Sequence, residues 1–130
     1  MTIPVEAVKQ WLEADPNWLS YGFEVSQGIW RDNPTNAAKR LCVLTAMQPP
    51  TSNNPDVVYD SVRVIFLSAQ KGNADTNPLR AIVYGLRDRL KTDNRNCDVT
   101  FYQMQGGPVG PGYTAEERVW YECSIRTITG

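Results

Sequence analysis

The chain contains no histidine among its 130 residues. That absence removes the commonest metal ligand and the side chain best suited to proton transfer near neutral pH, and with it much of the case for an enzyme. Cysteine is scarce too. Cys42, Cys97 and Cys123 form an odd, widely spaced set, which is neither a disulfide framework nor a zinc-site spacing. No apolar run exceeds a few residues, Val64-Ile65-Phe66-Leu67 being typical, whereas a membrane helix needs roughly 20. The opening Met1-Thr2-Ile3-Pro4-Val5 lacks the basic segment and apolar stretch of a signal peptide. An unexported protein without a membrane partner, folded in a cytoplasm, is therefore expected. Nor is there a surplus of one charge. Thirteen Lys and Arg against 14 Asp and Glu give a net charge of -1, so no global field holds the protein on nucleic acid or an anionic bilayer.

What is present is the composition of an ordinary folded protein: 42% apolar and 21% charged residues, in a length that suits one domain over residues 1–130. Val5, Val8, Trp11 and Leu12 recur at helical spacing and predict a helix over Pro4 to Ala14, with Trp18 and Leu19 in an irregular stretch after it. Phe23 to Ile29 and Lys39 to Met47 read as strands, divided by the turn-forming Arg31 to Asn36. A polar loop, Gln48 to Asp56, follows. Val57 to Ala69 is a third strand, with Val62, Val64 and Phe66 on one side. Leu79, Ile82, Val83, Leu86 and Leu90 then draw one apolar stripe along the main helix, for which Asn77 is the expected N-cap and Pro78 the first helical residue. Val99 to Gln105 is a fourth strand with Val99 and Phe101 facing inward. Gly106 to Thr114 reads as a loop, since its glycines and prolines disfavour helix and central strand alike. In the last strand, Glu117 to Thr127, inward Val119, Tyr121, Cys123 and Ile125 alternate with outward Trp120, Glu122 and Ser124. The fold class is α+β: a mostly antiparallel β-sheet of about five strands, a main helix packed on one face and a short N-terminal helix.

Chemistry is sparse. Gly106 to Gly112 has no Gly-Lys-Ser/Thr ending and leads to a strand, so it makes no phosphate cradle. Cys123 sits on an apolar face without an activating base and reads as a small hydrophobe, and Cys42 and Cys97 have no visible partner. The carboxylate pairs Asp56 with Asp60 and Glu116 with Glu117 lack any accompanying motif, and no metal or cofactor is expected. Arg80, Arg87 and Lys91, with Arg89 and Arg95, make a basic cluster about the main helix; they suit its dipole, and the first three are candidates for facing DNA. If the last strand packs under the main helix, Trp120 points away from it. Tyr102 and Met104 lie opposite Val99 and Phe101, so the second sheet face is too apolar to be simply wet. Either the N-terminal helix covers it with Trp11, Trp18 and Leu19, which needs no partner, or a neighbouring subunit does.

The strand Val62-Arg63-Val64, the helix Pro78 to Leu90, the strand ending Tyr102-Gln103-Met104-Gln105, the Gly106 to Gly112 run and the final Arg118-Val119-Trp120-Tyr121-Glu122-Cys123-Ser124-Ile125 occur in a distinctive order. Over Val57 to Ile128 this resembles the tail-terminator and minor capsid (head–tail joining) proteins of long-tailed bacteriophages. The resemblance implies a structural virion protein, not an enzyme. It implies a ring of identical subunits, commonly a hexamer, on the head-proximal end of the tail tube, ending tube polymerisation and offering a surface that joins tail to head. Its partners would be itself, the tube protein and the head connector protein, with DNA passing through the lumen without sequence-specific contact. Tyr102, Met104, Tyr113 and Trp120 are then the candidate interface residues, and Arg80, Arg87 and Lys91 the candidate lumen residues. The alternatives are another head–tail connector or tail-completion subunit, or a small ligand-binding domain or enzyme.

Overall fold

A computed structural model describes residues 4–28, 36–47, 58–94 and 101–129. In chain order the elements are α1 (Pro4–Glu13), α2 (Trp18–Tyr21), β1 (Phe23–Gln27), β2 (Arg40–Met47), β3 (Val58–Leu67), a 3-10 turn (Asn73–Asp75), α3 (Thr76–Arg89), β4 (Phe101–Tyr113) and β5 (Val119–Thr129). The strands form one sheet in the order β1-β2-β3-β5-β4. Only β1 and β2 run parallel; the other three pairings are antiparallel. The expected α+β architecture is thus observed. β5 has the cleanest alternation in the sequence and takes an interior place, where both faces are constrained by neighbouring strands.

Both long helices lie on the same side of the sheet. Val5, Val8, Trp11 and Leu12 of α1 and Leu79, Val83, Leu86 and Leu90 of the α3 stripe share one core with Cys42, Leu44, Val62, Val64, Phe66, Val119, Tyr121 and Ile125. Burying each large apolar side chain contributes roughly 1.5–3 kcal/mol, which makes this core the main source of stability. Polar ties fix the helices on it. The Trp11 indole N–H donates to the Asp93 carbonyl (2.7 Å) and the Tyr102 hydroxyl to the Ala7 carbonyl (2.9 Å). The Arg89 guanidinium lies 4.0 Å from the Trp11 ring centre and pairs with Asp15 and Asp93. At the other end of α3, Arg40 Nε donates to Asp75 (2.9 Å) and Arg40 Nη1 to the Tyr21 carbonyl (3.0 Å), tying β2 to α2 and to the start of the main helix.

Four expectations are corrected. First, α1 does not cover the second sheet face. Its apolar stripe joins the α3 side, and Trp18 is buried in that same core while Leu19 is 94% exposed. Second, Trp18 and Leu19 belong to a helical turn, α2, closed by Gly22 in the left-handed conformation (φ 72°). Third, the main helix begins at Thr76 after the 3-10 turn, so Asn77 is its second residue and Pro78 its third. Pro78 is still in the first turn, where its missing N–H costs nothing. Fourth, Gly106 to Tyr113 continues β4 instead of forming a loop. The sheet edge explains this: between Met104 and Tyr113 the register against β5 shifts three times, and an edge strand with bulges tolerates prolines that an interior strand would reject. The expected loop at Gln48 to Asp56 and the inward Val99 lie outside the described residues.

Candidate functional site

The register that places Cys42, Phe66 and Tyr121 under the helices places Leu41, Leu67 and Trp120 in line on the opposite face, with Val43, Ile65 and Glu122 beside them. Leu41, Val43 and Leu67 form a second, smaller buried cluster, against which Ile65 and Trp120 pack half-buried. A depression of about 200 Å³ opens here, lined by Arg63, Ile65, Leu67, Thr114, Trp120 and Glu122. Its rim carries an ion pair, Arg63 Nε to Glu122 Oε1 at 2.6 Å. Both side chains are partly in water, so the pair fixes geometry more than it stabilises. No described helix lies on this face.

Trp120 is set by its cross-strand partner. Gly112 pairs with Trp120, and a Cβ at Gly112 would overlap the indole ring. The bare glycine lets the ring lie flat on the edge strand, an aromatic covering a strand glycine. Farther along β4, Val109 is 59% and Tyr113 60% exposed. Trp120 and Val109 thus lie along the outer β4–β5 border, beside a bulged edge, whereas Tyr113 pairs with inward Val119 and lies on the helix side of the sheet.

The expected interface residues divide. Trp120 points away from the helices and is half-buried, while Tyr113 is exposed but on the helix side of the sheet. Tyr102 is corrected: it is 1% exposed on the core face, 6.1 Å from Trp11 between ring centres, with its hydroxyl bonded to α1. Met104 is corrected with it, being paired with inward Ile125 and packed on the main core. The alternation of β3 had placed Ile65 and Leu67 on this face, opposite Val64 and Phe66, as observed, whereas Thr114 and Val109 were not singled out. On α3, Arg80 and Arg87 flank the Tyr84 ring (5.5 and 4.7 Å to its centre), and Asp88 pairs with both Arg87 and Lys91.

No group poised for bond-making is found among the described residues. No cluster of three or more His, Cys, Asp and Glu that could hold a metal occurs there. Glu116 and Glu117 sit exposed in the β4–β5 turn. Cys42 and Cys123 are buried and free. Burial pushes the Cys42 thiol far above its ordinary value and the Cys123 thiol up to about 12, with Glu122 adding to the latter. Neither is a thiolate at neutral pH, so neither is a nucleophile. Because folding raises both values, the fold favours the protonated thiol. The stability this confers is complete below the ordinary value of 9.0 and is lost as pH rises towards about 12. Two results are expected: a thiol reagent modifies Cys42 and Cys123 at near pH 8 only at the rate of unfolding, and the urea midpoint falls on passing above about pH 9, less steeply in Cys123→Ala. Fast modification of both thiols in the native state would contradict their placement.

No described helix is long and apolar enough to cross a membrane. A family model described as phage tail termination protein matches residues 1–130. Comparison with curated proteins finds no match.

Proposed function

This chain belongs to the phage tail termination protein family, and we propose from that premise that it caps the head-proximal end of the tail tube as a ring, probing its neighbours through the outer sheet face. Membership gives the coarser part plainly: a structural virion component that serves tail completion, in a family defined by structure and not by catalysis. Our proposal adds the ring of identical subunits, six being the expected number, the arrest of tube polymerisation, and a surface for the head connector, all within one domain spanning the chain. The observation that carries it is the family match over the whole chain together with an open aromatic depression beside a long edge strand. A closed ring needs a heterologous contact, in which one patch of a subunit meets a different patch of the next. Trp120, in its partly desolvated setting, is the kind of anchor on which such interfaces depend.

Electron microscopy of the purified protein mixed with tail tubes tests the reading. Rings at one tube end are expected, and tubes grown without the protein should be of unregulated length. Decoration along the whole tube would contradict termination. Trp120→Ala should remain folded by circular dichroism, since its ring is only half-buried. Its end-capping affinity should drop about 30-fold or more, the effect of losing an aromatic anchor worth about 2 kcal/mol or more. Wild-type capping by that variant would remove the outer face from the interface.

A further inference from the structure

The outer side of α3 offers a different kind of surface. Arg80, Tyr84 and Arg87 of α3 and Lys91 in the turn just beyond its end follow one another at intervals of four, three and four residues, so they fall in one row. That stripe points away from the sheet, because Leu79, Val83 and Leu86 occupy the buried side. Arg80 and Lys91 are exposed and Arg87 half-buried, while Ala81 and Gly85 beside Tyr84 are exposed and small. The two guanidinium groups bracket the Tyr84 ring at 5.5 and 4.7 Å. This stacking holds them extended and in register, which lowers the entropy lost when they grip a ligand.

We propose that this stripe is a binding surface for the phosphodiester backbone of nucleic acid, with Asp88 as its built-in competitor. At the rise of a helix the row from Arg80 to Lys91 would extend about 16 Å, enough for its three cations to meet about three phosphates. A protein partner fits less well. Protein interfaces centre on large apolar or aromatic side chains surrounded by a polar rim, whereas three of the four side chains in this row are cationic, small Ala81 and Gly85 lie beside it, and Tyr113 is an exposed aromatic on the same side of the sheet. Guanidinium forks suit phosphate oxygens. Asp88 interacts with Arg87 at 3.2 Å and Lys91 at 3.5 Å. Arg87, by its hydrogen bond above all, holds the Asp88 carboxyl below the usual carboxylate value, so the carboxylate is ionised at neutral pH. A phosphate must displace it. Contact is therefore weak, and is measurable for the single chain at low salt. Contacts to phosphate carry no base information, so binding is independent of sequence.

The surface does not depend on ring capping, and its test uses the isolated full chain. Fluorescence anisotropy with a labelled duplex of about 20 base pairs, and with single-stranded DNA of the same length, should give binding at low salt. Affinity should weaken about 40-fold between about 50 and 200 mM salt, the dependence that three phosphate contacts produce. The triple variant Arg80→Gln, Arg87→Gln, Lys91→Gln should lose binding while keeping its unfolding midpoint, and Asp88→Asn should tighten it about threefold. That gain separates a competing carboxylate from a structural one. Chemical-shift changes on adding DNA to the wild type, confined to α3, give the same answer without relying on a variant. Stronger retention of duplex than of single strand identifies the duplex as the ligand, and the reverse identifies the single strand. Absence of binding at low salt, equal binding by the triple variant, or displacement of DNA by polyglutamate at equal charge overturns the proposal, the last in favour of an acidic protein.

Discussion

Replacing Gly110 with alanine is expected to destabilise the protein by about 3 kcal/mol, although the residue lies at a sheet edge and is itself exposed. Two costs combine. Its φ of 141° lies in a region that side-chain-bearing residues rarely adopt. A Cβ there would also stand 2.7 Å from the Trp120 carbonyl oxygen and 2.9 Å from Tyr121 Cδ1. The first obstacle is interior-strand backbone and the second is a core ring, and neither yields cheaply. Gly107→Ala should behave alike, with φ 93° and the Glu122 carbonyl at 2.6 Å. Gly112→Ala should differ in kind. There the obstacle is the outer part of the Trp120 indole, which can swing away, so stability should fall by only about 1 kcal/mol while Trp120 leaves its place and tube capping weakens. Urea unfolding followed by far-ultraviolet circular dichroism, with capping read by microscopy, distinguishes the two classes. A Gly110→Ala midpoint indistinguishable from wild type would mean that β4 does not approach β5 as described.

The same glycines show where sequence reasoning stops. Composition argues against a strand at Gly106 to Gly112, and for an interior strand the argument is sound. It fails at an edge, where the ladder needs one side only and each bulge resets the alternation that pattern reading depends on. By contrast β3, β5 and α3 were legible because burial on one side imposes an unbroken period of two or 3.6. Tyr102 illustrates the cost of a one-residue error. Taking Val99 and Phe101 as inward turned Tyr102 and Met104 to the wrong face, since strand parity decides every side chain at once. The side chosen by α1 could not be read at all: an amphipathic helix declares that it has a buried stripe, not which sheet face receives it. What fixes α1 beside α3 are contacts distant in sequence, Trp11 to Asp93 and Tyr102 to Ala7. This placement also bears on the candidate site. With both helices on one side, the Trp120 face is left to loops or neighbours, and the second of the two coverings expected from sequence, an adjoining subunit, gains by it.

Arg118→Met is expected to be the most damaging single change, costing about 4 kcal/mol and lowering Tm by about 15 °C. The alternation of the last strand puts Arg118 among its outward side chains beside Trp120; this is corrected, since Arg118 precedes β5 and is the largest fully buried side chain among the described residues, at 0% exposure. Its Nη1 donates to the Ser68 carbonyl (2.7 Å) and the Lys39 carbonyl (2.9 Å), and its Nη2 to the Asn36 carbonyl (3.0 Å). These acceptors stand at the entry to β2 and the exit from β3, and Arg118 itself precedes β5, so one guanidinium gathers three segments at the end of the sheet. Ser68 completes the junction: its hydroxyl accepts from the Val119 amide (2.8 Å) and its own amide donates to the Val119 carbonyl (2.8 Å). Methionine preserves much of the volume but leaves buried carbonyls without their donor, and each such loss costs about 1–3 kcal/mol. Arg118→Lys should recover only part of the stability, because an ammonium cannot span acceptors arranged for a planar fork. The junction also sets the start of β5, two residues before Trp120, so both variants should shift the Trp120 environment and weaken tube capping before the protein unfolds. Thermal unfolding with tryptophan emission, compared with capping at a temperature where the variants remain folded, checks both effects. Full stability in Arg118→Met would show that these three segments are held together by something other than this side chain.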